Sequence, residues 1–390
     1  MSEVYFQRLQ AALIAAGRHL PTLVVDTERL TANMAAVRRM TAPGLALRVV
    51  EKSLPAPDLL RQVMAGLDTN RLMSFHLPFV RQTVAVFPEA DILLGKPMPV
   101  GAVAGVSPAL DAQVNWLIDS PERLAEYGAL AAQSGRSLRI CLEVDIGLHR
   151  GGFTLERAGD FTAALTRLRD DPNLHLTGLM GYEPHIARLP RAITSPARAL
   201  DAARAAYARF HALAVQTLGA QAAATLIYNT GGSSTFMLYD GSGPGTEVAL
   251  ASALVKPTDF DLPALEALQA AAFIAAPVLK TVERPEIPMA RELSRVLRLL
   301  GRSPQRACFI YGGNWLADPC HPAGARRSAL FGHSSNQEMY DLPTDSGLKP
   351  GDFLFFRPRQ SEALFLQFGD IAAFDGTAIT DWWPVWHETH

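Results

Sequence analysis

The stretch LALRVVEKSLPAPDLLRQVMAG, residues 45–66, decides how the chain folds. An apolar β-branched run over 45–51 ends on Lys52, passes through the Pro-rich loop 53–58 and enters a segment of helical period. That is one β-α unit. The same alternation repeats from about residue 20 to residue 256, the pattern of a parallel sheet covered by helices. The spacing predicts strands over 20–26, 45–51, 71–75, 91–95, 115–119, 138–146, 175–182, 224–229 and 247–255. Nine is one more than a closed barrel of eight needs, and the first is the one to place elsewhere, because it follows an N-terminal helical segment and can pair with a later sheet. After Pro263 the texture changes to short strands broken by Gly, Pro and Asp: AAPVLKTVERP, RACFIYGG, GDFLFFRP, ALFLQFG, IAAFDG and ITDWWPVW, with SRVLRLLG as a helical exception. The expected class is α/β, a (β/α)8 TIM-type barrel over 30–265 followed by an antiparallel β-rich domain built from 1–29 plus 266–390.

The bulk properties narrow the kinds of partner. The 36 basic and 38 acidic residues of the 390 are interspersed, with a formal net charge of -2, so no run of like charge steers nucleic acid or anionic lipid. A small-molecule substrate is the default. Cys141, Cys308 and Cys320 are odd in number and far apart, which argues against a disulfide framework and for a reducing compartment. The N-terminal segment is apolar at Leu9, Ala12, Leu13 and Ala16 with Glu3, Gln7, Arg8 and Gln10 between, an amphipathic helix and not a signal peptide. No apolar run approaches a membrane span. These features lead one to expect a soluble cytoplasmic enzyme.

In such barrels, chemistry sits where strands end and βα-loops begin. Lys52 closes its strand, and a desolvated lysine amine is a good Schiff-base nucleophile. A snorkelling lysine at the rim is the plainer alternative, so company must decide between them. The run LRICLEVDIGLHRGGF brings Glu143 and Asp145, then Arg150 before a Gly-Gly turn, where the guanidinium can bind an anionic oxygen or simply pair with an acid. HLTGLMGYEPHIA ends a strand with Tyr182, Glu183 and His185, a phenol and an imidazole suited to acid-base work, or a capped loop. ATLIYNTGGSSTF closes a strand with Thr230, Gly231, Gly232, Ser233 and Ser234, small residues whose N–H groups can converge on a phosphate. A lysine early and a phosphate cradle late is the combination for a phosphorylated aldehyde cofactor.

The order of these motifs resembles the pyridoxal-phosphate enzymes of fold-type III, the alanine-racemase-like barrel, and within them the D-threonine aldolase and D-serine dehydratase branch. It is carried by LPTLVVDTERLTANM, RVVEK, EVDIGLHRGG, GLMGYEPH, NTGGSST, TEVALAS and the closing GDFLFFRPRQSEALFL with WWPVW. The resemblance implies pyridoxal 5'-phosphate as cofactor and Lys52 as its Schiff-base lysine. Further, it places Arg150 near the ring hydroxyl, Tyr182 in the site, the loop 231–235 around the phosphate, and the partner's β domain over each barrel mouth of a dimer. In that branch a His with a Cys or Asp binds a divalent metal on the loop that here reads RPRQSEA. Those positions hold Gln360 and Glu362, and glutamine is a poor ligand, so metal affinity is expected to fall. The strand often carrying Asp-Ala-Gly reads Tyr311-Gly312-Gly313-Asn314, and the basic pair after the lysine is replaced by Ser53-Leu54-Pro55.

The first expectation is therefore a lyase on a small D-β-hydroxy amino acid, cleaving it or removing the hydroxyl, with Lys52 as proton carrier and His185, Tyr182 or Glu362 polarising the hydroxyl. The alternative is an amino-acid racemase or epimerase, with Lys52 on one face and Tyr311 or His321 of a second subunit on the other. The remaining one is a non-catalytic cofactor carrier.

Overall fold

A computed structural model describes residues 2–187, 194–300 and 304–387. The first strand, β1 (Thr22–Asp26), stays outside the barrel, as its place after a helix leads one to expect. Eight parallel strands then close a barrel in chain order: β2 (Ala46–Val50), β3 (Arg71–Ser74), β4 (Asp91–Leu94), β5 (Val114–Ile118), β6 (Leu138–Glu143), β7 (Leu174–Met180), β8 (Ile227–Thr230) and β9 (Glu247–Leu250). The seam pairs Ala46 with Glu247 through Val49 with Leu250. Helices cover the outside and side chains fill the inside, so these strands read as near-continuous apolar runs.

Arg48 breaks that run. It sits fully buried in the middle of β2 and donates from Nε to Glu247 Oε1 at 2.5 Å and from Nη2 to Asp91 Oδ2 at 2.7 Å. Glu247 also accepts from Arg71 (2.7 Å) and Asn229 (2.8 Å), and Asp91 from Arg139 (3.0 Å) and Asn115 (2.8 Å). Burial acts to raise the Glu247 carboxyl, but the neighbouring guanidiniums overcome it and hold the group below the usual carboxylate range. Glu247, Asp91 and Arg71 are the first residues of their strands, so this charged plug fills the end of the barrel opposite the strand C-termini. That end of such barrels carries stability, not chemistry.

The second sheet runs β13 (Arg326–Arg327), β14 (Met339–Leu342), β11 (Arg306–Ile310), β10 (Ala272–Glu283), β1, β16 (Ile371–Phe374) and β17 (Ile379–Trp383). A further strand, β15 (Phe353–Pro358), also pairs with β10 and carries β12 (Ala317–His321). All pairings are antiparallel except β1 with β16, which is parallel. The whole barrel sequence lies between those two strands, so no tight turn constrains their direction. The helix Glu3–Ala15, capped by Ser2, lays Tyr5, Phe6, Leu9, Ala12 and Leu13 on Val24, Phe273, Phe353, Phe355 and Phe374. The Tyr5 hydroxyl donates to Asp26 at 2.8 Å.

Two expectations need correction here, and one holds. The run ALFLQFG forms turns, not a strand; Leu364 and Phe365 are buried from a turn, which satisfies their apolar surface without extended backbone. Strands β12 and β14 were not anticipated, since ADPCH and MYDL lack a β-rich texture. The helical exception does appear, as Arg291–Leu299.

Two compact units result. One holds the chain to Met34, Ser53–Leu59 and Ser252–Val385; the other holds Ala35–Lys52, Leu60–Ala251 and the chain from Trp386. The turns after β9 go with the first of these units: Asn33 Nδ2 donates to the carbonyls of Leu254 and Gln269, both at 2.7 Å, and Arg357 to that of Lys256 at 2.9 Å. Cys141, Cys308 and Cys320 are free thiols. Among the described residues, no helix is long and apolar enough to cross a membrane.

Candidate active site

Strand β2 ends at Val50 and the chain makes one 3-10 turn over Glu51–Ser53. The turn sends neighbouring side chains in different directions: Glu51 is fully buried, while Lys52 is half-buried with Nζ 4.2 Å from the centroid of the Phe75 ring. Phe75 follows β3 and needs Gly95, where a Cβ would lie 2.1 Å from the ring. Glu51 accepts a short hydrogen bond from Thr83. Burial pushes its carboxyl up to about 7, although the hydroxyls of Ser74 and Thr83 and the indole N–H of Trp386 act to hold it down.

After β6, Asp145 organises its own loop, accepting from the amides of Gly147 (2.9 Å) and His149 (3.0 Å) and facing His149 Nδ1 at 2.9 Å. Gly152, at φ +91°, lets the chain return past Glu143, whose carbonyl would be 2.8 Å from a Cβ there. Arg150 emerges from this loop with Nη2 3.9 Å from Glu143 and its guanidinium 5.5 Å from the Tyr182 ring centroid. Burial lifts Glu143 above its ordinary range and Arg150 partly offsets it. Tyr182, after β7, packs against Gly232, where a Cβ would stand 2.8 Å from the ring. Arg150, Tyr182 and Gly232 thus form one continuous wall from the β6 loop to the β8 loop. His185 lies over Gly147, with Nδ1 buried and unpartnered; burial, aided by His149, keeps the imidazole below its usual pKa.

Glu183 is the organising residue that sequence reasoning passed over. Fully buried, it accepts from Thr235 Oγ1 (2.8 Å), the Gly231 amide (3.3 Å) and Thr230 Oγ1 (3.4 Å). Thr230 and Gly231 therefore commit their donors to Glu183, and the Gly232 amide goes to Thr235 Oγ1 at 2.9 Å. The Ser233 hydroxyl accepts from the Ala251 amide at 3.0 Å. Among the described residues, nothing accepts from the amides of Ser233 and Ser234. Two adjacent open amides at the end of a barrel strand, walled by Tyr182 and Arg150, fit a phosphate and the ring it carries. Lys52 stands at another strand end of the same closed barrel.

The metal-loop positions do not fit a divalent cation. Gln360 donates its amide to Asp259 at 2.9 Å, and Glu362 stands 3.4 Å from the hydroxyls of Ser252 and Ser361; Ser252 in turn reaches Ser53 at 2.9 Å. One carboxylate among hydroxyls is a poor donor set. Among the described residues, no three His, Cys, Asp or Glu side chains gather as a metal site. His321 stacks flat on Phe6, ring centroids 4.7 Å apart, which makes it a packing residue of the sheet unit; Tyr311 is 43% exposed.

The closed eight-stranded barrel with its accompanying β-rich sheet is the architecture of the fold-type III pyridoxal-phosphate enzymes. Residues 25–255 match the model of the alanine racemase N-terminal domain, and the chain belongs to that family. An alanine racemase of Chlorobaculum tepidum is 26% identical over 166 residues, 42% of this chain and 43% of that protein, so the match spans less than half of the relative's length. D-threonine aldolase from Filomicrobium marinum superposes with a TM-score of 0.73 at 16% identity, over 93% of this chain and 94% of that one. D-threo-3-hydroxyaspartate dehydratase from Delftia sp. gives 0.67 at 18%, over 94% and 97%. Alanine racemase from Bacillus anthracis gives 0.69 at 12%, over 93% and 97%. Those three likenesses carry the fold.

Proposed function

We propose that the chain is a pyridoxal-phosphate-dependent lyase acting on a small D-β-hydroxy amino acid, by aldol cleavage or by dehydration. Pyridoxal phosphate, when bound, supplies an electron sink for the substrate bond held perpendicular to its ring. Lys52 holds it and carries a proton at Nζ, the Ser233 and Ser234 amides bind the phosphate, and Arg150 and Tyr182 flank the ring. The observation that supports the lyase over its alternatives is His185: an imidazole whose pKa burial lowers, with Nδ1 unpartnered, is suited to accept the β-hydroxyl proton. No metal step is included, given the surroundings of Gln360 and Glu362. The racemase reading is favoured by one observation, the exposed Tyr311 phenol as a base for the second face. We further propose a cytoplasmic homodimer in which the partner helps to complete the site, acting on amino acids with no role for nucleic acid or membrane. The apolar residues left exposed on and beside one helix, Met289, Leu293, Val296, Leu299 and Leu300, support a second copy.

The test is incubation with D- and L-serine, threonine and alanine, with and without a chelator. Release of an aldehyde or ammonia from the D-hydroxy substrates, unaffected by the chelator, is expected; interconversion alone would establish the racemase, and no turnover with any of them would overturn the lyase. Lys52→Ala is expected to abolish the visible absorbance band, and its survival there would sink the cofactor assignment.

A further inference from the structure

We propose that residues 384–387, which follow β17, form a latch on the turn that carries Lys52, with Trp386 as a positioning residue acting through Glu51. The latch is held at two points. Gln82, on the helix Leu77–Val86, takes both backbone groups of His387: its Oε1 accepts from the amide at 3.1 Å and its Nε2 donates to the carbonyl at 2.9 Å. A side-chain amide paired with both backbone groups of one residue imitates a sheet ladder and fixes the chain direction there. One residue earlier, Trp386 is 4% exposed and belongs to the barrel unit, whereas the chain up to Val385 belongs to the other.

Its indole meets Glu51. Three elements come together at that carboxyl: Thr83, from the same helix as Gln82, donates to Oε1, and Ser74 at the end of β3 and Trp386 lie beside it. Glu51 Oε2, Ser74 Oγ and Trp386 Nε1 are all buried, and none completes a hydrogen bond of good geometry. The indole therefore acts by filling space and excluding water as much as by donating. Glu51 and Lys52 are consecutive residues of a single 3-10 turn, so the packing that holds the first inward sets the direction of the second. Without Trp386, water reaches Glu51, the carboxylate ionises more readily, and nothing keeps it inside. The turn then loosens at its first residue, and Lys52 loses its fixed place over Phe75. Lys52 is the charged group adjoining Glu51 in sequence; the other groups named around the carboxyl are hydroxyls and the indole.

The proposal draws its importance from the cofactor role given to Lys52, but its test reads the amine itself. Acylation of Lys52 by an amine-reactive reagent is followed by peptide mass spectrometry across pH in protein stripped of any bound pyridoxal phosphate, so that no Schiff base masks the amine, with exposed Lys280 as the internal reference, in the wild type, Trp386→Phe, Gln82→Ala and a chain ended at Val385. The variants are expected to move the Lys52 pH midpoint by about half a unit or more, about threefold in rate, and to leave Lys280 unchanged. Glu51→Gln, which keeps a neutral side chain that cannot ionise, is expected to hold the Lys52 midpoint near its wild-type position, and Glu51→Gln/Trp386→Phe to shift it less than Trp386→Phe alone. Should the shortened chain not fold, Trp386→Phe, which keeps an aromatic ring in place, and Gln82→Ala carry the test. Unchanged Lys52 labelling in those two overturns the latch, as does a parallel change in Lys52 and Lys280, which means general loosening. A missing visible band with shifted labelling would remove the cofactor reading and leave the latch standing.

Discussion

At the scale of single residues, the turn 51–53 places two ionisable neighbours in opposite surroundings, and each has a measurable consequence. Glu51 has its folded pKa raised to about 7 by burial, above its value of 4.5 in water. A carboxyl raised in this way favours the native state fully below pH 4.5, and that contribution drains away as pH climbs through about 7. At about 1.4 kcal/mol per pH unit the loss reaches about 3 kcal/mol at most. Urea denaturation of the wild type and Glu51→Gln is thus expected to diverge from pH 5 to pH 8, with the variant becoming relatively more stable as pH rises. Parallel curves would show that Glu51 is ionised in the fold. His185→Gln is expected to lower turnover by about 10²–10⁴ while leaving the visible band intact; loss of the band with the turnover would move His185 from proton transfer to cofactor binding. Lys52 was legible in the sequence because a lysine at the end of an apolar run is a local pattern. Glu51, beside it, was not: the inward turn that buries it is made by Ser74, Thr83 and Trp386, which lie far along the chain.

At the scale of elements, the cradle after β8 depends on the loop after β7. Glu183 holds Thr235, Gly231 and Thr230, so the amides of Ser233 and Ser234 are left open by subtraction. Tyr182 fills the space that the missing Cβ of Gly232 leaves. Gly232→Ala is expected to push the ring aside and to weaken cofactor binding by about tenfold, on the order of 1.4 kcal/mol, in a titration of cofactor-free protein. An unchanged affinity would show that this contact does not shape the cradle. The glycine-serine loop itself was visible in NTGGSST, but which amides stay open was not, because Glu183 reads as one acid among several until its neighbours are known. The same limit explains the strands. Barrel strands announce themselves through apolar runs buried on both faces, while β12, with Pro319 inside it, and the turn at 363–369 follow the packing around them.

At the scale of the whole molecule, closure of the barrel concentrates Arg48, Glu247, Asp91, Arg71 and Arg139 at one end and the candidate site at the other. Arg48→Ala leaves Glu247 buried with its main partner gone and is expected to cost about 3–5 kcal/mol in urea unfolding. A cost under about 1 kcal/mol would mean that water or Arg71 replaces it. The alternation of eight β-α units, the exclusion of the first strand, the lysine at a strand end and the small-residue loop are written in the order of the amino acids, because each depends on residues adjacent in the chain and on the period of their burial. Tertiary structure alone decided the charged plug, the Glu183 scaffold, the burial of Glu51 under Trp386 and the surroundings of Gln360 and Glu362. Those features join residues as much as 335 positions apart in sequence, from Glu51 to Trp386, and a pKa or an open amide is a property of what stands nearby in space.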